Sequence, residues 1–269
     1  MIKNKPLVVI RGAGDLASGV AYRLYNSGLD VIMTEIARPL VVRRTVSFAE
    51  AVYAGRVTIE GIDACLAGSV EEALSLLGKR IIPVLVDPEA VVVKLARPAV
   101  VVDAIMAKRN LNTAIEDAPL VIGLGPGFTA GVDVHAVIET CRGHRLGRVI
   151  YSGSAIPDTG SPSAVDGYTL ERLLRAPVDG VVTPRRCIGE QVEKGEVVAH
   201  VDTTPVYAEM TGMVRGMLKE GTRVPKGTKI GDIDPRENAE YDTISDKALA
   251  VGGGVLEAVY HFLKAGRFP

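Results

Sequence analysis

The apolar run at 7–10 leads straight into Gly12-Ala13-Gly14-Asp15-Leu16-Ala17, and this succession constrains the fold more than any other feature. A continuous apolar run suits a strand buried on both faces. The glycines break it, and 17–25 reads as a helix closed by Gly28. Glu35 ends the next apolar strand, 31–35. Strand, glycine turn, helix, strand and acid together match a dinucleotide fingerprint in its G-x-G-x-x-A form, with the acid placed for ribose hydroxyls. Further apolar runs at 81–87, 100–103 and 120–124 alternate with helical patterns, one opened by a capping box at 69–72. The segment at 47–54 also looks helical, and 134–140 and 148–151 look like extra strands. Alternating elements imply a parallel sheet covered by helices.

The second constraint is an internal repeat. Residues 176–202 align without gaps on 208–234, an offset of 32, with Gly180/Gly212, Val182/Val214, Gly189/Gly221, Lys194/Lys226 and Asp202/Asp234 among the identical pairs. Each half has short β segments punctuated by turn glycines, so each can cover the other's apolar face. The pattern resembles the biotinyl/lipoyl barrel-sandwich hybrid. The hairpin between the halves is Thr203-Thr204-Pro205-Val206-Tyr207, which lacks the carrier Lys of those domains. The expected class is therefore α/β: a Rossmann-like nucleotide-binding domain at 1–154, a linker or functional loop at 155–175, a barrel-sandwich hybrid at 176–234, and a C-terminal loop with a docking helix at 235–269. In that tail 255–263 reads as an amphipathic helix. Gly252-Gly253-Gly254 before it reads as a turn, or as an anion site at a helix N-terminus with Ser245-Asp246-Lys247 as polar neighbours.

Ligands of parallel α/β sheets lie beyond the carboxyl ends of the strands. That rule collects Arg11, Gly12, Gly14, Asp15 and Ala17 after the first strand, Glu35 after the second, and Asp103 after 100–102. It adds Gly125-Pro126-Gly127-Phe128, whose glycines can bring backbone N–H groups to an anion. Asp15 puts a carboxylate in the phosphate turn. Arg11 compensates it, or Asp15 is itself an acid/base group or cation ligand. Asp103 is the second catalytic candidate. Arg38, Arg43 and Arg44 form either a phosphate clamp or a solvated basic face, and Lys108 supplies a further cation. Glu139, Arg142, Gly143 and His144 make another polar cluster, with Cys141 inside it. No metal site is expected: the four His are scattered and no His or Cys pair has ligand spacing.

Composition limits partners. With 31 Lys+Arg against 32 Asp+Glu and 4% aromatics, a broad nucleic-acid surface is not expected. No run approaches the twenty or so apolar residues a membrane span needs. Three well-separated cysteines fit a reducing cytoplasm, the expected location.

The blocks RGAGDLASGVAYRL (11–24), RPLVVRRTVSFAEAVYAG (38–55), VVDAIMAKRN (101–110), VIGLGPGFTAGVDVHAVIET (121–140), KIGDIDPR (229–236) and ISDKALAVGGGVLEA (244–258) resemble accessory proteins of the selenium-dependent molybdenum hydroxylase system. The resemblance implies a maturation factor beside xanthine-dehydrogenase-type enzymes, with the hydroxylase or its cofactor-assembly proteins as partners. The turn is also similar to the GAGH turn of xanthine dehydrogenase accessory proteins, with Asp15 in place of the His. NAD(P) or a molybdopterin-type dinucleotide is the expected cofactor. An NAD(P)-dependent oxidoreductase and a non-catalytic scaffold are the alternatives, and a homo-oligomer is left open.

Overall fold

The computed structural model describes residues 5–158, 160 and 165–264. Residues 159 and 161–164 of the expected linker lie outside that set. The chain divides into two compact units, Met1–Pro39, Ser47–Asp158 and Ile244–Pro269 in the first, Leu40–Val46 and Thr159–Thr243 in the second.

In the first unit the chain runs β1 (Leu7–Arg11), α1 (Asp15–Asn26), β2 (Asp30–Glu35), α2 (Ala51–Ala54), β3 (Arg56–Ile59), β4 (Ile62–Ala67), α3 (Val70–Gly78), β5 (Ile82–Val86), α4 (Val91–Ala96), β6 (Val100–Asp103), β7 (Leu120–Leu124), β8 (Thr129–Ala130), β9 (Ala136–Ile138), β10 (Val149–Ile150) and β11 (Gly153–Ser154). One nine-stranded sheet has the order β10-β9-β7-β6-β1-β2-β5-β4-β3. Its centre is parallel, with Val8–Ile10, Val100–Val102 and Val121–Ile122 fully buried. Both edge pairs, β3 with β4 and β10 with β9, are antiparallel. The β3–β4 turn explains its edge. Glu60 and Gly61 both have positive φ, 46° and 79°, as a two-residue type I′ hairpin requires. Arg56 and Thr58 bond Asp63 across the exposed face of that hairpin.

The last helix, α5 (Asp246–Lys264), runs straight through the three glycines that the sequence suggests as a turn. Packing gives the reason. A Cβ on Gly252 would lie 2.5 Å from the Gly19 carbonyl oxygen of α1, and one on Gly19 would meet Ala248 at 2.6 Å. Bare backbone lets the two helices close together, and that contact outweighs the helix cost of glycine, about 1 kcal/mol per residue.

In the second unit the repeat has equivalent strands. From the first half come β13 (Gly180–Pro184), β14 (Gln191–Val192) and β15 (Val197–Val201); from the second come β17 (Gly212–Met217), β18 (Arg223–Val224) and β19 (Lys229–Asp234). With β12 (Leu173–Arg175) and β16 (Thr204–Tyr207) they form two four-stranded antiparallel sheets, β12-β19-β17-β14 and β16-β15-β13-β18. Each half lends its short middle strand to the other's sheet. Val182, Val198, Val201, Val214, Leu218, Ile230 and Ile233 fill the space with no exposure.

The expected class is thus corrected. The protein is a large mixed-sheet α/β unit plus antiparallel sheets, not a Rossmann-like domain followed by a barrel-sandwich hybrid. Hairpins close both sheet edges. Residues 40–46 leave the first unit's run, and the C-terminal helix returns to it.

Candidate functional site

Acids stand at the carboxyl ends of four strands, and backbone donors claim them. Glu35 accepts from the N–H of Ala13 (3.0 Å) and of Ile36 (2.8 Å). Burial pushes its carboxyl up, and those two bonds oppose the shift. Asp87, just after β5, accepts from Val91 and Val92 and so caps α4. Glu139, 1% exposed, accepts from Cys141 and Ile156. Asp103, 3% exposed, accepts from the Ile105 N–H (3.1 Å) and the Thr113 hydroxyl (2.6 Å). Arg11 donates to Thr113 and Asn112, with Asp103 3.8 Å from its guanidinium. These residues pin the loops that leave the sheet, because a buried N–H without an acceptor is costly. Arg11 and Asp103 lie together in one buried network, and Glu35 holds the glycine turn itself.

The glycines of the expected cofactor site meet protein. Gly12, φ +94°, leaves room that Ala104 and Ile105 backbone occupies. A Cβ on Gly125 would lie 2.5 Å from the Thr140 hydroxyl, and one on Gly127 2.7 Å from Arg109 backbone. Phe128, 5% exposed, packs its ring on Gly123. Lys108 pairs with Asp158 (2.7 Å) on the surface. Ala17 is buried within α1, and Gly14 is the N-cap, offering no side-chain acceptor to the first turn. Arg43 and Arg44 belong to the second unit, where Arg44 donates to the Met217 carbonyl at 3.0 Å.

Asp15 remains, and the structure brings it to a group that sequence reasoning placed only as a neighbour. Gly19 packs on Ala248 and Gly252, and Arg23 donates to the Leu249 carbonyl. The helices therefore run side by side with their first turns at one end. Lys247, second residue of α5, is pulled down by burial. Asp15, Cys141 and Glu139 oppose that shift, and Arg142 adds to it. Arg142 makes a two-pronged pair with Asp246, at 2.7 and 3.0 Å. Among the described residues neither Lys247 nor Asp15 has a hydrogen bond or ion pair. The missing signal was the start of α5 at Asp246, which the three glycines hid.

Among the described residues no group of three or more His, Cys, Asp and Glu is arranged to hold a metal ion. Nor is any described helix long and apolar enough to cross a membrane.

No family model matches the chain. It is 52% identical over 261 residues to the uncharacterized protein YqeB of Escherichia coli K12, covering 97% of this chain and 48% of that protein. The chain thus spans about half the length of the curated relative it matches. Similar solved structures include an aspartoacylase family protein from Mesorhizobium loti, 14% identical over 87% of both chains, TM-score 0.27. The apo ectoine utilization protein EutE (DoeB) from Ruegeria pomeroyi is 11% identical over 86% of both chains, also with TM-score 0.27. A succinylglutamate desuccinylase from Silicibacter sp. TM1040 is 14% identical over 85% of this chain and 84% of that one, TM-score 0.24. At these scores neither a fold nor an activity carries over.

These findings correct the resemblance drawn from the sequence. The relative is uncharacterized, and the solved neighbours are aspartoacylase and desuccinylase proteins. Membership of the selenium-dependent molybdenum hydroxylase accessory proteins is withdrawn. With it go the maturation role and both alternatives, the oxidoreductase and the scaffold.

Proposed function

We propose that the first unit binds a small anionic ligand, carrying a phosphate or carboxylate, where the first turns of α1 and α5 meet. The observation that carries this reading is Lys247. An ammonium in the first turn of a helix opposes the helix dipole. Here it also lies near a second helix start and is repelled by Arg142. Burial without a hydrogen-bond partner adds a desolvation cost. A bound anion offsets all of these terms, because it accepts from Lys247 and from the N–H groups that Gly14 leaves uncapped. Asp15 sets a limit on ligand charge, since a multiply charged anion would meet its carboxylate.

Calorimetric titration of the intact chain with inorganic phosphate tests the reading. Binding is expected to weaken at least about tenfold in Lys247→Met, the loss of one charge-assisted bond of roughly 1.5–3 kcal/mol. It is expected to fall as salt rises. Equal affinity in the variant, or no phosphate binding at all, rejects the site.

A further inference from the structure

We propose that the first unit carries a further ligand site at the amino ends of β6 and β7, and that it takes a short peptide with both ends free. A groove of about 700 Å³ opens there. Lys94 and Arg97, from the end of α4, line one side. Glu116 and Asp117, in a turn of 3₁₀ helix at Ile115–Asp117, line the other. Val93, Pro98, Ala99 and Pro119 add apolar surface. This base is tied to the sheet, since Ala99 donates to the Leu7 carbonyl at 3.0 Å and accepts from the Leu120 N–H at 3.2 Å.

Arg97 is the residue that points to a ligand. It ends α4 with φ +48° and stands directly before Pro98. Left-handed backbone favours glycine, and a following proline pushes a residue toward extended backbone instead. Yet its guanidinium makes no hydrogen bond or ion pair among the described residues, and nor do the side chains of Lys94 and Glu116. Lys94 already supplies the cation that the last turn of α4 favours. Backbone strain that no internal contact offsets is the mark of a side chain kept for function.

The ligand class follows from charge and size. Two cations face two acids, so a ligand of one sign would be attracted by one side and repelled by the other. A zwitterion satisfies both: its carboxylate fits the fork of Arg97, with Lys94 beside it, and its ammonium fits Glu116 and Asp117. Asp117 uses one carboxylate oxygen on the Ala114 N–H, at 3.0 Å, and keeps the other for the ligand. A groove of this volume lies in the range of small-molecule sites. Two or three extended residues span about 7–10 Å, and their apolar side chains would lie on Val93 and the prolines.

Calorimetric titration of the intact chain with the dipeptide leucyl-leucine provides the test. Saturable binding is expected, weakened about tenfold or more when the amino end is acetylated or the carboxyl end amidated, the loss of one charge-assisted contact. Glu116→Gln is expected to weaken the free dipeptide but not the acetylated one, and Arg97→Gly the free dipeptide but not the amidated one. Such paired losses identify which protein group meets which end. Arg97→Gly is also expected to keep or raise the melting temperature, because glycine accepts the left-handed backbone. No binding of leucyl-leucine, equal affinity in both variants, or blocked ends that change nothing overturns the proposal.

Discussion

Lys247 couples the candidate site to stability, and the sign of that coupling can be worked out. Its proton affinity is lower in the folded chain than its ordinary value of 10.5, so the unfolded chain binds more protons between the two values. Stability contributed through this group therefore rises with pH across that window. The difference in urea-unfolding free energy between the intact protein and Lys247→Met is expected to change between pH 7 and pH 10 in that direction. A flat difference would mean that the amine titrates normally. In the second unit Asp234 couples to pH with the same sign, through ion pairing rather than burial. Burial pushes its carboxyl up, but Arg236, at 2.6 and 2.8 Å, and Arg215, at 3.1 Å, bring it below the usual range. Its stabilisation is present above pH 4 and lost as pH falls through the depressed value. Asp234→Asn is expected to cost about 3–5 kcal/mol at neutral pH, because Arg215 is left buried beside an uncharged partner. Denaturant curves at pH 7 measure this, and a loss below about 1 kcal/mol would mean that solvent already screens the pair. At this scale the sequence showed which acids end the strands. It did not show that Glu35, Asp103 and Glu139 are spent on local N–H groups, because that depends on how each loop turns after leaving the sheet.

At the scale of elements, α5 shows how packing overrides propensity. Three consecutive glycines read as a break, since each costs the helix about 1 kcal/mol relative to Ala. The structure gives them different neighbours. Gly252 abuts the Gly19 carbonyl, while a Cβ on Gly253 would meet nothing within 4 Å. Gly253→Ala is therefore expected to stabilise by about 0.5–1 kcal/mol through helix propensity alone. Gly252→Ala is expected to destabilise by about 1–3 kcal/mol, because α1 and α5 must separate. Thermal melts of the two variants decide this, and shifts of the same sign would show that the glycines do not set the helix approach. Other elements were open to reading. The Ser69 cap of α3 is seen, with its hydroxyl accepting from the Glu72 N–H at 3.2 Å. The repeat of 32 residues reappears strand for strand. The β3–β4 hairpin was not legible, because Glu60-Gly61 is a weaker turn signal than Asn-Gly and its register depends on edge contacts.

At the scale of the whole molecule, chain order and compact units disagree, and the short segment 40–46 is where this can be tested. It departs from the first unit's run yet is built into the second. Its Val42 carbonyl accepts from the Met217 N–H at 2.8 Å, its Arg44 returns a bond to the Met217 carbonyl, and Thr45 donates to the Tyr241 carbonyl. Val42 also packs on the apolar core of that unit. Gly216 permits the approach, since a Cβ there would lie 3.0 Å from the Val42 carbonyl oxygen. Three hydrogen bonds at about 0.5–1.5 kcal/mol each and the partly buried valine hold the segment on this unit. A fragment spanning 159–243 is therefore expected to unfold at lower urea than the same fragment with 40–46 joined through a flexible linker. Gly216→Val in the linked fragment should abolish the gain, because the side chain would push the segment away. Equal midpoints with and without 40–46 would mean that the repeat alone completes its core.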